Sequence, residues 1–268
     1  MNDLNRKAAE NLTAVRKAKP LIHNITNYVV MNYTANALLA MGASPVMAHA
    51  PNEVEEMVTL AGTLVINIGT LSDMWVNAML IAGKKASQRS IPIILDPVGA
   101  GATQLRTGAA KQILKETKIS VVRGNASEIL SLSDRDAMTR GVDAVHSVED
   151  AAEEAKSLAQ NLGNTLAITG AEDLVTDGHR VLRVSNGYQL MSRVTGTGCT
   201  ATAIIGAFLS VDPDPVSAAA TALAFFGFAG EVAAESAQAP GSYMIALLDA
   251  LYTITPEMLQ SSAKIAEE

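Results

Sequence analysis

Four short apolar runs, spaced along the first two thirds of the chain, constrain its fold more than any other feature. Each is rich in Ile, Val and Leu, and longer segments with helical periodicity separate them; the runs are Thr63–Ile68, Ile91–Leu95, Ile119–Val122 and Thr165–Thr169. Continuously apolar strands are typical of a parallel sheet that helices cover on both faces. The alternation of strands and helices therefore predicts an α/β fold with a mostly parallel central sheet.

The segments around these runs complete the predicted organisation. Helices are predicted over Asn2–Lys17, Ser72–Ser90 (with Ser72 as its N-cap) and Ser147–Leu162. Asp177-Gly178 predicts a hairpin turn between two short strands. From Gly198 onward we expect nearly continuous helix that ends in an acidic, frayed tail. Because no repeat, linker or change of composition marks a boundary, we expect residues 1–268 to form a single domain.

Composition excludes several classes of protein. The formal net charge is −7, which argues against a surface for nucleic acid or anionic membrane. The chain has one cysteine, so a disulfide framework and a cysteine-rich metal site are both excluded. The first 20 residues lack the apolar stretch of a signal peptide, and polar residues, glycine or proline interrupt every long uncharged run. We predict a cytoplasmic protein without a membrane span.

Pro20–Asn52 is unusual because its 33 residues include no Asp, Glu, Lys or Arg. A surface segment of this length normally carries several charges. We expect this segment to be covered either by the core of the chain alone or by the core together with another subunit.

Thr195–Ala201 carries the pattern that says most about function. Gly196 and Gly198 let the backbone turn its N–H groups toward one point, and the alanine-rich segment that follows predicts a helix beginning there. Free amides and the positive end of a helix dipole favour an anion. A plain glycine turn before a buried helix is the alternative. The glycine spacing also has the form of a dinucleotide fingerprint, but it comes late and no strand precedes it; a Walker A motif is absent.

Polar side chains follow the predicted strands at the points where those strands end. Asp96 follows the second run directly, Arg123 and Glu128 follow the third, and Thr169 closes the fourth. Open α/β sheets bind ligands at this edge. Two carboxylates and an arginine suit a Mg²⁺–polyphosphate site, because Mg²⁺ prefers oxygen ligands and arginine grips phosphate oxygens. The alternative is that Asn125 or Ser127 simply caps a helix with Glu128 in its first turn.

Several longer motifs carry a resemblance to a known family. They are Asp-Pro-Val-Gly-Ala from Asp96, Arg-Gly-Asn-Ala-Ser-Glu from Arg123, Ile-Thr-Gly from Ile168, Thr-Gly-Thr-Gly-Cys from Thr195, His-Asn-Ile-Thr-Asn from His23 and Ser-Pro-Val-Met-Ala from Ser44. In this combination and order the chain resembles the hydroxyethylthiazole kinases, ribokinase-like enzymes of thiamine biosynthesis and salvage. The similarity covers almost the whole sequence.

This resemblance implies a fold, a reaction and an assembly. The fold is a three-layer α/β/α arrangement, and the reaction is phosphorylation of the primary hydroxyl of 4-methyl-5-(2-hydroxyethyl)thiazole, with ATP as co-substrate and Mg²⁺ as cofactor. The implied assembly is a homotrimer with active sites between subunits, which would explain the uncharged Pro20–Asn52.

The resemblance also implies roles for matched positions. The residues implied to bind the thiazole alcohol are Met47, Gly196 and Asn27. Those implied to bind ATP are Arg123 and Thr169, and those implied to hold the metal through water are Asp96 and Glu128. Cys199 stands where most ribokinase-like enzymes have aspartate, whereas this kinase family has cysteine. At a helix N-terminus its thiol is expected to have a lowered pKa and to accept the alcohol's proton late in transfer. A small buried thiol that only packs the helix start is the alternative.

Three other functions compete with this one. A hydroxymethylpyrimidine kinase and an ATP-dependent NAD(P)H-hydrate dehydratase share the implied fold, and Cys199 in place of aspartate disfavours both. A nucleotide-binding sensor without turnover is disfavoured by Asp96 and Glu128, since binding alone does not require two carboxylates that organise a metal. His23 lies beside the Asn-Ile-Thr-Asn motif and is either a substrate contact or a buried structural histidine.

Overall fold

The strands of the described chain form one sheet. The computed structural model describes residues 3–133 and 148–268. The strands are β1 (Leu21–Ile25), β2 (Ser44–Val46), β3 (Thr63–Asn67), β4 (Ile93–Asp96), β5 (Val121–Asn125), β6 (Thr165–Thr169), β7 (Asp173–Thr176), β8 (Val181–Val184) and β9 (Ile265–Glu267). Their order is β2-β1-β3-β4-β5-β6-β7-β8-β9. Pairing is parallel from β2 through β6 and antiparallel from there to β9.

Helices surround this sheet. They are α1 (Asp3–Ala18), α2 (Met31–Met41), α3 (Val54–Leu60), α4 (Asp73–Arg89), α5 (Gln104–Glu116), α6 (Ala126–Leu130), α7 (Val148–Leu162), α8 (Thr197–Leu209), α9 (Pro215–Ser236), α10 (Pro240–Thr253) and α11 (Pro256–Ser262), with a 3₁₀ helix at Gln189–Arg193. Of the described helices, α9 is the one whose length and apolarity would suffice to cross a membrane, and most of it is buried within the protein.

Alternation along the strands divides the core into two layers. In β3, Val65 packs in a cluster with α1, α2, α8, α9 and α10, whereas Leu64 and Ile66 pack in a second cluster with α3 to α7. Successive side chains of a strand point to opposite faces, so both faces of this strand are apolar and both are covered. Gly206 of α8 lies so close to the sheet that a Cβ there would be 2.8 Å from Val65 Cγ2. The three-layer α/β/α prediction is confirmed.

The predicted elements agree with the structure except in two places: Arg123 lies within β5 rather than after it, and the C-terminal tail is not frayed. The four apolar runs are β3 to β6, Ser72 caps α4, and the hairpin at Asp177-Gly178 joins β7 to β8. Asn2 and Ser147, which begin two of the predicted helices, lie outside the described residues. The frayed acidic tail is wrong, because β9 pairs with β8 through Ile265 opposite Val184. A buried Ile265 fixes this end of the chain.

Pro20–Asn52 contributes more to the sheet than its sequence indicated. It forms β1, α2 and β2, and most of β1 is buried. Three of its apolar side chains nevertheless remain largely exposed on the single chain: Tyr28 at 62%, Val29 at 69% and Leu39 at 59%. The core of one chain therefore covers only part of this uncharged segment.

Strand order also locates the ligand-binding edge. The chain moves from β1 outward to β2 and then returns to place β3 on the other side of β1. In parallel sheets a crevice forms at the carboxyl ends of the strands where the order reverses in this way. Here that point lies between β1 and β3, and the polar residues that follow these strands face each other across it.

Candidate active site

Two asparagines bridge the crevice between β1 and β3. Asn27 Nδ2 donates to Asn67 Oδ1 at 2.9 Å and also lies 3.4 Å from Cys199 Sγ. Asn67 Oδ1 accepts a second hydrogen bond, 2.9 Å long, from the Gly69 amide. Both asparagines are buried. The pair therefore links the thiol of α8 to the ends of β1 and β3.

Asp96 is the buried charge of the site. One carboxylate oxygen, Oδ2, accepts from Asn67 Nδ2 and from Thr202 Oγ1, each at 2.8 Å, and lies 3.8 Å from Arg123 Nη1. The other oxygen, Oδ1, is buried and has no protein partner within the described chain. Burial raises the pKa of Asp96 to about 6, although Arg123 and the hydrogen bonds oppose the change.

The environment of Cys199 corrects one expectation. A helix N-terminus was expected to lower the pKa of this thiol, but burial raises it to about 11, and the negative charge of Asp96 acts in the same direction. The hydrogen bonds from Asn27 and Asn67 and the charge of Arg123 favour the thiolate but are outweighed. At neutral pH the thiol is therefore protonated, because desolvation disfavours its charged form more than these partners favour it.

The predicted glycine turn is the start of α8. Gly196 is the N-cap residue, with a left-handed backbone (φ +88°), and a Cβ there would lie 2.7 Å from Val30 Cγ1. A Cβ on Gly198 would lie 2.7 Å from Arg123 Nη1. The first N–H groups of a helix have no partners within it, and Gly196 has no side chain to cap them. An uncapped helix N-terminus beside a guanidinium suits an anion.

Arg123 connects this helix to the end of β6. Its Nη2 donates to Thr169 Oγ1, and its Nε is buried without a protein acceptor among the described residues. A cleft of about 630 Å³ opens here. Its lining includes Arg123, Thr169 and Gly198 and continues to the apolar side chains of Leu223 and Phe226. The cleft thus has a cationic end and an apolar end, as a nucleotide requires.

Both carboxylate oxygens of Glu128 accept hydrogen bonds from the backbone, one at the start of α6 and one from the loop after Asp96. Its Oε2 accepts from the Asn125 amide at 2.9 Å in a capping box, so the simple capping interpretation is correct in geometry. Its Oε1 accepts from the Gly99 amide at 2.8 Å, which binds it to the loop after Asp96. The capping interpretation is therefore correct, and the same side chain also bonds the loop that follows Asp96.

These donors fit a magnesium ion that is held largely by other ligands. Within residues 3–133 and 148–268, no three His, Cys, Asp or Glu side chains cluster as a metal site. Asp96 Oδ1 is nevertheless a buried oxygen without a partner in the described part of the chain, and Glu128 follows the adjacent strand β5. Mg²⁺ commonly takes one or two carboxylates and completes its shell with water and phosphate oxygens. The residues present match that arrangement.

Two predicted residues lie away from this centre. Met47 directly follows β2, and β1 and β3 separate that strand from Asp96 on β4. His23 is fully buried, and its Nε2 lies 2.8 Å from the carbonyl of Ala48, beside Met47. Burial lowers the pKa of His23. Of its two interpretations the structural one is correct, since the ring holds the loop that carries Met47.

Sequence reasoning missed Asn67 and Thr202. Asn67 is the polar residue that ends an otherwise apolar strand, which is the same signal that identified Asp96, but the predicted strand continued through it to Ile68. Thr202 lies one residue beyond the predicted glycine motif and three residues after Cys199, so it is on the same helix face. Both donate to Asp96 Oδ2, and a polar residue at a strand end and helical spacing from Cys199 are the sequence signals that indicate them.

The fold belongs to the ribokinase-like class. The chain is similar to the pyridoxal kinase of Staphylococcus aureus in complex with AMP-PCP and pyridoxal, with a TM-score of 0.64 and 16% identity over 93% of this chain and 98% of that one. A likeness at this identity indicates the fold alone.

Closer comparisons define the family. The model of the hydroxyethylthiazole kinase family matches residues 12–257, and the chain belongs to this family of kinases. It is 62% identical to the hydroxyethylthiazole kinase of Desulfotalea psychrophila (all of this chain, 98% of the relative) and 54% identical to that of Desulfosudis oleivorans (94% and 93%). The structure of the hydroxyethylthiazole kinase protein from Pyrococcus horikoshii OT3 has a TM-score of 0.90 at 46% identity, covering 97% and 98%.

Proposed function

We propose that the protein transfers the terminal phosphoryl group of ATP to the primary hydroxyl of 4-methyl-5-(2-hydroxyethyl)thiazole, with Mg²⁺ as cofactor. The observation that supports this best is that one turn of α8 contacts both halves of the site. Cys199 contacts Asn27 on the side of β1, and Gly198 abuts Arg123 on the side of the cleft. A hydroxyl near the thiol and a phosphate near the guanidinium would therefore lie on adjacent residues of one helix.

In this proposal the cleft holds ATP. Arg123 and Thr169 bind phosphate oxygens at its polar end, where the free amides of α8 add further donors. Phosphoryl transfer passes through a loose transition state, so positioning and neutralisation of charge contribute most of the catalysis. The Nε of Arg123, which is buried and has no acceptor among the described residues, supports the assignment of this arginine to phosphate binding.

The acceptor alcohol lies beside Cys199, with Asn27 and Gly196 around it. Met47 lies away from this centre within one chain, so it reaches the alcohol from a neighbouring subunit of the trimer proposed below. Because a thiol with a pKa near 11 is protonated at neutral pH, Cys199 orients the hydroxyl rather than removing its proton at the start. The proton leaves late, after the new P–O bond has largely formed and the bond from the γ-phosphorus to ADP has broken. The alcohol oxygen is then strongly acidic, and a phosphate oxygen or solvent water accepts its proton. In this proposal a base contributes less to catalysis than the N-terminus of α8, which stabilises charge on the phosphate oxygens.

Asp96 and Glu128 would hold Mg²⁺ through its water ligands. When bound, the ion supplies charge neutralisation for the phosphate oxygens. The two carboxylates come from adjacent strands, β4 and β5, and Asn67, Thr202 and the Gly99 amide fix their orientation.

Release of ADP tests the proposal directly. The purified protein with ATP and Mg²⁺ is assayed with the thiazole alcohol, with hydroxymethylpyrimidine, with NADH hydrate, and with no acceptor. We expect ADP release that depends on the thiazole alcohol, together with the phosphate ester in mass spectrometry. ADP release that ignores the alcohol would refute the kinase assignment for this substrate, and stimulation by either of the other acceptors would identify the rival.

We also propose a cytoplasmic homotrimer, in which each chain is a single domain and the sites lie between subunits. The support is the exposed apolar group Tyr28, Val29 and Leu39 in a segment without charges. Tyr28 directly follows Asn27, so a neighbour seated there would border the acceptor side. Sedimentation velocity of the parent and of V29E tests this, and a monomeric parent with full activity would contradict it.

A further inference from the structure

Arg106 makes an unusual set of contacts beside the site. It lies in the first turn of α5, and its guanidinium donates to three backbone carbonyls on two different loops. Nη1 donates to Ile68 O at 3.0 Å and to Val98 O at 2.8 Å, while Nη2 donates to Gly69 O at 3.0 Å. The first loop follows β3 and the second follows β4. One nitrogen atom therefore joins the loops behind two neighbouring strands.

The two carbonyls on Nη1 belong to peptide groups with a second function. The C=O of Ile68 shares a peptide group with the Gly69 N–H, and the C=O of Val98 shares one with the Gly99 N–H. In a trans peptide these groups point in opposite directions. An arginine that holds each carbonyl therefore aims each N–H the other way.

Each of these N–H groups holds a residue of the site. The Gly69 amide donates to Asn67 Oδ1 at 2.9 Å, and Asn67 Nδ2 in turn donates to Asp96 at 2.8 Å. The Gly99 amide donates to Glu128 Oε1 at 2.8 Å. The distances thus trace two continuous paths from Nη1, one to each carboxylate. Arg106 touches neither carboxylate itself.

We propose that Arg106 is a positioning residue that sets the orientation of Asp96 and Glu128 together, through the Ile68–Gly69 and Val98–Gly99 peptide groups. The inference rests on the proposed function, because it concerns the carboxylates assigned to Mg²⁺ there. The planar fork of the guanidinium matters more than the charge. The two N–H bonds of Nη1 have fixed directions toward Ile68 O and Val98 O, and the bond from Nη2 to Gly69 O holds the plane in place.

Three variants separate this role from a general loss of stability. R106Q removes the fork and the charge, R106K keeps the charge without the fork, and K115Q removes one charge from an exposed position on the same helix. Thermal unfolding shows whether each variant is folded. Gly69 and Val98 are only half-buried, so water can hydrate their freed carbonyls, whereas Ile68 is buried. We therefore expect all three variants to fold, with R106Q and R106K less stable than the parent.

Two measurements are made without the acceptor. The first is binding of AMP-PNP with and without Mg²⁺, which gives the factor by which Mg²⁺ tightens nucleotide binding. The second is hydrogen exchange in the free protein over peptides that contain Gly69 and Gly99. In R106Q and R106K we expect that factor to fall at least fivefold and both peptides to exchange faster, while K115Q stays at parent values. In turnover, kcat falls at least tenfold and KM for the alcohol changes less than threefold.

The proposal is overturned if folded R106Q keeps the parent's Mg²⁺ factor and exchange rates, or if R106K matches the parent, which would mean that charge alone acts. If R106Q does not fold, the proposal is tested with R106K and with hydrogen exchange of the Gly69 and Gly99 amides in the parent. Parent amides that exchange as fast as those of an open loop would refute the proposal. Failure of the thiazole alcohol as a substrate would leave both acceptor-free measurements unaffected, so the two hypotheses fail separately.

Discussion

Replacing Asp96 with asparagine should make the protein more stable while it removes activity. The carboxylate is fully buried, and its pKa rises from an ordinary value near 3.8 to about 6. Two pKa units correspond to about 3 kcal/mol, which is the amount by which the fold disfavours the charged form. Asparagine keeps a side chain of the same shape that can still accept from Asn67 and Thr202.

A buried donor without a partner works against this gain. The attraction of Arg123, whose Nη1 is 3.8 Å from Asp96 Oδ2, is already included in a pKa of about 6. The new amide nitrogen, however, takes the place of Asp96 Oδ1, which has no partner among the described residues. We therefore expect a net stabilisation of about 1–3 kcal/mol at pH 8, and at about 2–4 °C per kcal/mol the unfolding midpoint rises by several degrees. The same change should lower kcat by about two orders of magnitude, since it removes a charge placed for the metal.

The pH dependence gives the decisive comparison. A raised carboxyl pKa means that the cost is absent below pH 3.8, grows as the pH rises toward 6 and is complete above it. The advantage of D96N over the parent should therefore be largest at pH 8 and shrink toward pH 4.5, as followed by thermal unfolding. D249N, at an exposed position, should show no such trend. A D96N protein that is less stable than the parent at pH 8 by as much as at pH 4.5 would refute the reasoning.

Three further outcomes follow from the site. C199D should turn over at least as fast as the parent, and C199A should keep a measurable fraction of the parent's kcat. Because the thiol pKa is near 11, the parent's kcat should show no thiol ionisation between pH 6 and 9. An apparent pKa near 8 in that profile, lost in C199A, would contradict this. E128Q should raise the Mg²⁺ concentration for half-maximal rate more than KM for the alcohol, and the reverse pattern would count against metal organisation. G198A should raise KM for ATP about tenfold, because its Cβ would lie 2.7 Å from Arg123 Nη1. G241A, with open space around it, should leave KM for ATP unchanged. An equal rise of KM in both variants would exclude a local displacement of Arg123 as the cause.

The apolar layers of the fold were predictable because their signal is local. A run such as Thr165–Thr169 is apolar on both faces, and that pattern alone indicates a buried strand. β1 and β2 gave a weaker signal, since His23, Asn24 and Pro45 interrupt their apolar pattern. β9 gave none: a three-residue edge strand depends on its pairing with β8, which is a long-range contact.

The site was predictable as a set of positions but not as a set of environments. The end-of-strand rule located Asp96, Arg123 and Thr169, and the structure brings them to one edge. It did not predict the pKa of Cys199, because a helix N-terminus and burial shift a thiol in opposite directions and only the packing decides which is larger. Arg106 was missed for a related reason, since its partners are backbone carbonyls, which any sequence provides.

The register of α8 is what makes these separate strand ends act as one site. Gly198 abuts Arg123 of β5, Cys199 contacts Asn27 after β1, and Thr202 binds Asp96 of β4. A shift of one residue would rotate the helix by about 100° and move it by about 1.5 Å, which breaks all three contacts together. The left-handed backbone of Gly196, pressed against Val30, fixes the residue at which the helix starts. A side chain at Gly196 would therefore disturb all three contacts at once, although it would itself clash only with Val30.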